Sequence, residues 1–212
     1  MNVLITAGPT REPLDPVRYL TNRSSGKMGY ALASAFAEAG HQVLLISGPT
    51  KLDIPDGVDL IPVESAAEMF SAVEHHIGRM DTAVFAAAVA DYRPASISEQ
   101  KIKKHGDTLT LELVRNPDIL GSARGKFSFT GVLVGFAAET ENLETNAREK
   151  LHRKGCDLVI ANDVSQPGIG FDSDRNQILL VYPAHSEPLL EDEKHHLAPR
   201  IVREIELLTA GA

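Results

Sequence analysis

Aromatic residues and cysteine are scarce in this chain, and each shortage excludes a class of function. Phe, Tyr and Trp together make up 5% of the 212 residues, and Trp is absent, so the base-stacking surfaces of single-stranded nucleic-acid binders are not expected. The single cysteine, Cys156, has no second cysteine to pair with, and one thiol alone is not a metal site. A small buried residue is its expected role.

Positive charge is also in short supply. The 21 basic residues face 29 acidic ones, which gives a formal net charge of −8, whereas nucleic acids and anionic membranes attract a basic surface. No apolar run approaches the roughly 20 residues that span a bilayer, and the first strand pattern begins at Asn2, which leaves no room for a signal peptide. We therefore predict no nucleic-acid partner, no membrane partner and a cytoplasmic location.

The sequence does contain a regular alternation of short apolar runs and helical stripes. The runs that predict strands are 2–7, 42–47, 131–136, 157–161 and 176–182, and the run 82–90 predicts a strand together with its exit. Stripes at three- and four-residue steps predict helices between Gly26 and Gly40, behind a capping box at Ser65–Glu68, over 143–154 and around 201–208. This alternation predicts one α/β domain over residues 1–212, built on a Rossmann-like, doubly wound, mainly parallel sheet.

One segment interrupts the alternation. The segment from Asp91 to Gly106 is rich in charged residues and contains proline. Polar and apolar residues then alternate over 109–114, which predicts a strand. An excursion without helical periodicity between two buried strands is typical of a flap over a binding site. We predict this inserted flap at about residues 92–114.

The long loop after the first strand, residues 8–29, is the first place to expect a ligand. Ligands of open parallel sheets bind beyond the carboxyl ends of the strands, and the end of this loop opens a helix with small residues. Free backbone N–H groups at a helix start favour an anion. The resulting phosphate-binding candidates are Gly8, Ser24, Ser25 and Gly26. For Gly29 the alternative is that it lets the helix pack closely on the sheet.

Standard nucleotide and metal motifs are missing. The loop has neither G-x-G-x-x-G nor G-x-x-x-x-G-K-[ST], and no acidic residue follows the second strand, at Ser47–Pro49, to bind a ribose diol. The histidine pairs His75–His76 and His195–His196 each point in two directions on a helix, so they are not predicted to bind a metal. The metal ligands are therefore unknown, and an anionic ligand is expected to bind by other means.

Two groups of lysines could neutralise such an anion. Lys101, Lys103 and Lys104 lie together on the flap, where they could close over a polyphosphate. The alternative is a solvated charged loop, but the net negative charge of the chain and the position of the flap favour binding. Lys150 and Lys154 are four residues apart on one predicted helix, and this spacing alone favours a solvated face.

Six ordered stretches, spread from about residue 2 to residue 208, resemble one protein family. They are ITAGPTREPLDPVRYLTNRSSGKMG (5–29), AAAVADYRP (86–94), KIKK (101–104), RNPDIL (115–120), VGFAAET (134–140) and ANDVSQPGIGF (161–171). Together they resemble the bacterial phosphopantothenate–cysteine ligases, also called phosphopantothenoylcysteine synthetases, over essentially the whole chain.

The resemblance implies a ligase that joins 4′-phosphopantothenate to L-cysteine in coenzyme A biosynthesis. Its bacterial members use CTP and Mg²⁺: the carboxylate attacks the α-phosphorus, pyrophosphate leaves, and cysteine then displaces CMP from the acyl-cytidylate. It also implies a homodimer with its site close to the dimer interface, and a separate phosphopantothenoylcysteine decarboxylase as a partner. Because the chain starts at the ligase's first strand, a stand-alone or excised ligase domain without flavin is expected.

The resemblance also assigns roles to residues. Asn22 corresponds to an asparagine that holds the acyl-cytidylate, Arg18 to an arginine needed for the second half-reaction, and Lys101 to a flap lysine that assists cytidylate formation. The positions that correspond to nucleotide contacts are Phe85, Ala86, Ala87, Asp91, Lys101, Asn116, Pro117, Asp118, Ile119, Phe136, Lys150 and Lys154. For the last two lysines the resemblance outweighs the spacing argument.

Two alternatives to a ligase stay open at this point. The fold would also support a non-catalytic nucleotide- or dinucleotide-binding module, although the missing fingerprint counts against it. The chain could also be a structural subunit that needs a separate decarboxylase. Pyrophosphate release that requires CTP, phosphopantothenate and Mg²⁺ together would distinguish the ligase from both.

Overall fold

The structure, a computed structural model, describes residues 1–104, 106–163 and 173–211. Its strands are β1 (Asn2–Ala7), β2 (Arg11–Pro13), β3 (Tyr19–Thr21), β4 (Gln42–Ser47), β5 (Val58–Pro62), β6 (Thr82–Phe85), β7 (Tyr92–Pro94), β8 (Leu113–Arg115), β9 (Val132–Glu139), β10 (Leu158–Asp163), β11 (Arg175–Val181) and β12 (Ser186–Glu193). Its helices are α1 (Lys27–Glu38), α2 (Ala66–His76), α3 (Ile119–Gly125), α4 (Leu143–Lys154) and α5 (Lys194–Ala210), with a 3₁₀ turn at Ile77–Arg79.

The main sheet is largely parallel. Within the described residues, eight strands form it in the order β12-β11-β10-β9-β6-β1-β4-β5. The six strands from β5 to β10 in this order run parallel, whereas β11 pairs antiparallel with β10, and β12 pairs antiparallel with β11. The parallel part has the strand order of dinucleotide-binding folds, and this order reverses between β1 and β6. The predicted doubly wound, mainly parallel α/β fold is confirmed.

Helices cover both faces of this sheet. Val3 and Ile5 of β1 pack with α1 and α5, whereas Leu4 packs with α2, α3 and α4. All three side chains are fully buried. Successive residues of a strand point to opposite faces, so a strand that is covered on both faces is apolar at every position. This is why continuous apolar runs, rather than alternating ones, predict the central strands.

One helix start has the geometry that the sequence predicts, and a second has it in part. A Cβ on Gly29 would lie 2.6 Å from the Cβ of Ala7, so the close-packing role of Gly29 on the sheet is confirmed. The side chain of Ser65 accepts a hydrogen bond from the Glu68 N–H at 3.2 Å and caps α2. The Glu68 carboxylate accepts from the Glu64 N–H instead of the Ser65 N–H, so the capping box is only half formed.

Other elements differ from the sequence prediction. The polar loop after β1 contains the β2–β3 hairpin, and the sequence pattern does not predict β5, α3 or β12. The prediction of a strand over 109–114 is wrong in extent: only Leu113–Arg115 is a strand, because its partner β7 offers three residues to pair with. Leu109 and Leu111 are left exposed.

The segment predicted as a flap, residues 92–114, has a β-ribbon at its base. β7 and β8 pair antiparallel, with Tyr92 opposite Arg115, and the Ala95 N–H donates to the Glu112 carbonyl at 2.9 Å. We call this segment the arm.

Among the described residues, no helix combines the length and the apolar character needed to cross a bilayer.

Candidate functional site

The loops that follow β1 and β6 run side by side where the strand order reverses. The N–H groups of Ala86 and Ala88 donate to the carbonyls of Thr6 and Gly8, at 3.1 and 2.9 Å. These bonds fix residues 86–90, which we call the central loop, against the loop that leaves β1. The loops that follow β1 and β6 therefore meet at one edge of the sheet.

The first cavity at this edge, here called the α4 cavity, has a volume of about 480 Å³. Ten of the residues that correspond to nucleotide contacts line it: Phe85, Ala87, Asp91, Asn116, Pro117, Asp118, Ile119, Phe136, Lys150 and Lys154. Arg115 and Arg153 add two cations that the sequence analysis does not single out. The fold therefore brings together residues from the central loop, the end of the arm, β9 and α4.

A second cavity of about 300 Å³, the α1 cavity, lies beside the start of α1. Three phosphate-binding candidates, Ser24, Ser25 and Gly26, line it, together with Ala86. The residues that line both cavities are Ala87, Val89, Asp91, Phe136 and Lys150. The two cavities are thus the two lobes of one cleft.

The α1 cavity has three buried polar residues that the sequence does not identify as site residues. Asn162, Asn176 and Lys194 line it and are only 8%, 3% and 6% exposed. Asn162 could have been found, because it belongs to β10 near the carboxyl edge of the sheet and to a stretch that resembles the ligases. Asn176 and Lys194 lie at the starts of β11 and α5, where the sequence gives no comparable signal. Residues 164–171 of that stretch lie outside the described residues.

The two lysines of α4 have different surroundings. Lys150 is half-buried, and its Nζ donates to the Phe136 carbonyl at 2.5 Å; burial lowers the pKa of its ammonium, and the charges of Lys154 and Arg153 lower it further. Lys154 forms an ion pair with Asp118. Burial opposes the charge of Asp118, but the hydrogen bonds from Lys154 and from the Gly121 N–H outweigh it and lower the pKa of this carboxyl.

Asn116 braces the wall of the α4 cavity. Its amide Nδ2 donates to the Ala90 carbonyl at 2.8 Å, and its Oδ1 accepts from Arg93 at 3.1 Å. Its backbone N–H donates to the Asp91 carbonyl at 2.8 Å. Asn116 therefore holds the end of the central loop against the base of the arm, besides lining the cavity.

Asn22 and Gly8 lie next to the cleft and are absent from the lining of either lobe. The exposed amide of Asn22 donates through Nδ2 to the Ala88 carbonyl at 2.9 Å, and Ala88 lines the α1 cavity. Gly8 is buried with φ +73°, and a Cβ there would lie 2.8 Å from the Gly48 carbonyl oxygen. Only glycine adopts this conformation without strain in so little space.

Arg18 is held by a carboxylate that the sequence analysis overlooks. Its Nη2 lies 2.6 Å from Asp15 Oδ2 and also donates to the Ile102 carbonyl at 3.0 Å. The hydrogen bonds from Arg18 hold the pKa of the Asp15 carboxyl well below its usual range, and bonds from the Ile102, Val17 and Arg18 N–H groups add to this. Arg18 and the arm are thus in direct contact.

Lys101 precedes this contact point on the arm. Its side chain is exposed, and it is not among the residues that line the α4 or the α1 cavity. The other two catalytic candidates, Asn22 and Arg18, also lie outside the lining. The structure therefore brings ten of the twelve predicted nucleotide contacts into one cavity, whereas the three predicted catalytic residues lie outside the lining of both cavities.

Cys156 is buried, as predicted. Burial raises the pKa of its thiol to about 12, so this cysteine is protonated at neutral pH and is a poor nucleophile. Among the described residues, no group of three or more His, Cys, Asp and Glu side chains is placed to hold a metal ion.

The loop that leaves β1 packs against the carboxyl end of β4, where a conventional dinucleotide fold binds a ribose. A Cβ on Gly48 would lie 1.9 Å from the Pro9 carbonyl oxygen, and the Gly48 N–H donates to the Ala7 carbonyl at 3.0 Å. The loop that leaves β1 therefore folds across the end of β4 instead of turning at once into α1.

Comparison with known proteins identifies the family of this chain. The family model described as "DNA/pantothenate metabolism flavoprotein C-terminal domain" matches residues 1–208. The chain belongs to this family.

The family's curated relatives are longer than this chain. It is 49% identical over 209 residues to the coenzyme A biosynthesis bifunctional protein CoaBC of Vibrio vulnificus strain YJ016, and the match covers 98% of this chain and 52% of that protein. The CoaBC of Escherichia coli K12 is 47% identical over 208 residues, with coverages of 97% and 51%. The chain thus spans about half the length of the curated relatives it matches.

A solved structure confirms the family's fold for this chain. The crystal structure of the C-terminal domain of a coenzyme A biosynthesis bifunctional protein CoaBC is 38% identical and superposes with a TM-score of 0.85. The alignment covers 100% of this chain and 96% of that one. The described elements therefore correspond to the C-terminal half of the bifunctional relatives.

Proposed function

We propose that this chain is the phosphopantothenate–cysteine ligase domain of coenzyme A biosynthesis, acting as one unit over residues 1–212. One observation carries the proposal: ten residues that match the family's nucleotide contacts line a single cavity, which opens into a second cavity at the start of α1. Two joined lobes suit a reaction in which an acid must meet a nucleotide. CTP would occupy the α4 cavity, and 4′-phosphopantothenate would reach it from the α1 cavity.

In the first half-reaction, two anions must approach each other. The carboxylate of phosphopantothenate attacks the α-phosphorus of CTP, the bond to the β-phosphate oxygen breaks, and pyrophosphate leaves. Positive groups lower this barrier when they compensate the charge that develops on phosphorus. Lys150, Lys154 and Arg153 line the α4 cavity, and Lys101 follows on the adjoining arm.

In the second half-reaction, the amine of cysteine attacks the acyl carbonyl of the cytidylate. CMP leaves, and the nitrogen loses a proton as the amide forms. An amide side chain has two N–H donors, so Asn22 can bond to the Ala88 carbonyl with one and to the acyl carbonyl with the other. Arg18, held by Asp15, would supply a cation for this step.

Mg²⁺ would bind with the nucleotide. This ion prefers one or two carboxylates together with phosphate oxygens and water. Asp91 fits that preference, because it is the carboxylate that lines both lobes, whereas Asp118 is already paired with Lys154. When bound, Mg²⁺ would neutralise charge on the phosphates. The family's C-terminal domain is not expected to need a flavin for this reaction.

A non-catalytic dinucleotide module is the competing function. Such a module would place the ribose at the end of β4, where the Pro9 carbonyl packs on Gly48 and no acidic residue follows the strand. The missing acidic residue and the missing glycine fingerprint thus favour the ligase over the module.

The arm supports a homodimer as part of the proposal. Its exposed apolar side chains include Ile97 and Leu109, both 59% exposed, and Tyr92 and Leu113, 47% and 43% exposed. A second copy of this chain would cover such a surface. The product, phosphopantothenoylcysteine, would pass to a decarboxylase, either a separate protein or the other part of a bifunctional one.

The test is an assay of CMP release by the purified chain. With Mg²⁺, 4′-phosphopantothenate and L-cysteine, we expect CMP and pyrophosphate from CTP, and kcat/KM for CTP should exceed that for ATP. Leaving out any one of the substrates should stop amide formation. Nucleotide binding without CMP release under these conditions would favour the non-catalytic module, and equal or better turnover with ATP would overturn the choice of CTP.

A further inference from the structure

Asp15 is a buried carboxylate that connects two distant segments of the chain. The residue is only 3% exposed, although aspartate is rarely buried without a partner. Its Oδ1 accepts from the N–H groups of Val17 and Arg18, both at 2.9 Å. Its Oδ2 accepts from Arg18 Nε at 3.0 Å and Nη2 at 2.6 Å, and from the Ile102 N–H at 3.0 Å. One carboxylate thus joins two segments that are more than eighty residues apart in sequence.

The arm is fixed to Asp15 and Arg18 through both backbone groups of one residue, Ile102. The Ile102 N–H donates to Asp15, and the Ile102 carbonyl accepts from Arg18 Nη2 at 3.0 Å. Nearby, the Ser98 N–H donates to the Leu14 carbonyl at 3.0 Å. Lys101 is bonded directly to Ile102 in the chain, so the same contacts determine where its backbone lies.

The charges in this contact depend on one another. A buried carboxylate is costly unless it is paired and hydrogen-bonded, and the Arg18 guanidinium provides the pairing through two nitrogens. In return, the carboxylate fixes the orientation of Arg18, which is still 43% exposed at its side chain. Loss of the Asp15 charge would therefore free both Arg18 and the arm.

We propose that Asp15 is a positioning residue that couples the two half-reactions. It holds Arg18, which acts in the second, and Ile102, whose neighbour Lys101 acts in the first. We name this set of contacts, Asp15 with Arg18 and Ile102, the latch. The inference rests on the proposed function. Small misplacements of reacting groups cost large factors in rate, so the latch affects catalysis without touching a substrate.

The variant Asp15→Asn tests the latch, because an amide keeps the shape but has only one acceptor oxygen. We expect pyrophosphate release and amide formation each to slow by about tenfold or more, with the Kd for CTP changed by less than about threefold. Asp107→Asn removes a charge from an exposed position of the same arm and serves as the matched control. Unchanged rates for Asp15→Asn would overturn the proposal.

A double-mutant cycle distinguishes positioning from a general loss of structure. If Asp15 acts through Lys101, the slowing of pyrophosphate release by Asp15→Asn should fall below about twofold in a Lys101→Gln background. The same slowing factor in both backgrounds would contradict the latch.

A second variant covers the case in which Asp15→Asn does not fold. Ile102→Pro removes the N–H that the arm donates to Asp15 and also restricts the backbone of Ile102 and Lys101, but it keeps the side chains of the Asp15–Arg18 pair. It should slow pyrophosphate release and spare the conversion of the acyl-cytidylate to amide. Equal slowing of both steps, or of neither, would overturn the proposed coupling.

Hydrogen exchange tests the latch independently of the proposed function. Peptides that cover residues 98–104 should exchange faster in Asp15→Asn than in the wild-type chain, while peptides of α1 and β1 should not change. If the wild-type chain makes no product but this exchange difference is present, the proposed function fails and the latch stands. If exchange of 98–104 is unchanged, the latch itself is wrong.

Discussion

At the scale of single residues, Lys101 provides the sharpest test of the first half-reaction. Its charge matters most when phosphorus carries extra negative charge, so Lys101→Gln should reduce the rate of pyrophosphate release by about 10²-fold, as removal of one transition-state donor does. The Kd for CTP should change much less. Rapid-quench measurement of pyrophosphate, beside a calorimetric titration with CTP, compares the two quantities.

The control for this prediction is Lys51→Gln, which removes an exposed lysine from the bend after β4. It should leave both quantities near the wild-type values. A normal kcat with only a raised KM for CTP in Lys101→Gln would make Lys101 a binding residue and would contradict its catalytic role.

Asn22 separates the two half-reactions at the same scale. An ionised aspartate at this position would place a charge beside the anionic acyl-cytidylate, and at ~4 Å with an effective dielectric of about 20 this repulsion is about 4 kcal/mol. Asn22→Asp should therefore release pyrophosphate and yet form little amide. Timed assays of pyrophosphate and of phosphopantothenoylcysteine on the same sample measure both steps.

The contact of Asn22 with the central loop determines which result a purely structural role would give for this variant. Because the Asn22 amide donates to the Ala88 carbonyl, aspartate cannot replace it even in a purely structural role. If Asn22 had only a structural role, Asn22→Asp would disturb the central loop and would impair CTP binding and pyrophosphate release as well. Loss of both steps, or near-normal amide formation, would thus argue against a role that is specific to the second half-reaction.

At the scale of secondary-structure elements, the packing of α1 on β1 positions the α1 cavity. A Cβ on Gly29 would lie 2.6 Å from the Cβ of Ala7, so Gly29→Ala should overpack this contact and lower the free energy of unfolding by about 1–3 kcal/mol. Urea denaturation measures the change. Gly78→Ala is the control, since a Cβ at that position would have no heavy atom of another residue within 4 Å beyond its immediate chain neighbours; equal stability of the two variants would contradict the packing argument.

The elements that the sequence predicts well are those whose signals are local. Helix α4 has the predicted bounds, Leu143–Lys154, because an apolar stripe and a C-terminal glycine, Gly155 with φ +65°, act within the helix itself. By contrast, α3 is seven residues long, which is too short for a period to show. β5 has no fully buried residue, so its sequence lacks the apolar run of a central strand.

Candidate site residues could be predicted only where they belong to a contiguous sequence motif. The residues predicted to contact nucleotide fall in short stretches of sequence, and ten of them line the α4 cavity. Asp15 and Lys194 depend on how distant segments pack: the partner of Asp15 is an arm residue, Ile102, and Lys194 reaches the cleft from the start of the last helix. A lone charged residue in a loop gives no signal of such a partner.

At the scale of the whole molecule, the exposed apolar surface of the arm predicts a dimer. Analytical ultracentrifugation should give twice the 22.9 kDa of one chain. The double variant Ile97→Lys with Leu109→Lys should sediment as a monomer, because two charges would have to be buried in the interface.

The control for the dimer is Ile54→Lys with Leu207→Lys. These side chains, 53% and 61% exposed, are about as accessible as those of the arm but lie outside it. This control should remain a dimer. A wild-type monomer at micromolar concentration, or equal dissociation of both double variants, would contradict an interface on the arm.

The most direct test of the ligase assignment is the detection of the acyl-cytidylate itself. When the chain is mixed with CTP, Mg²⁺ and 4′-phosphopantothenate without cysteine and then quenched, mass spectrometry should find phosphopantothenoyl-cytidylate and pyrophosphate in equal amounts. Addition of cysteine should convert the intermediate to phosphopantothenoylcysteine and CMP. CDP with an acyl phosphate in place of the cytidylate, or nucleotide bound and recovered unchanged, would contradict the account.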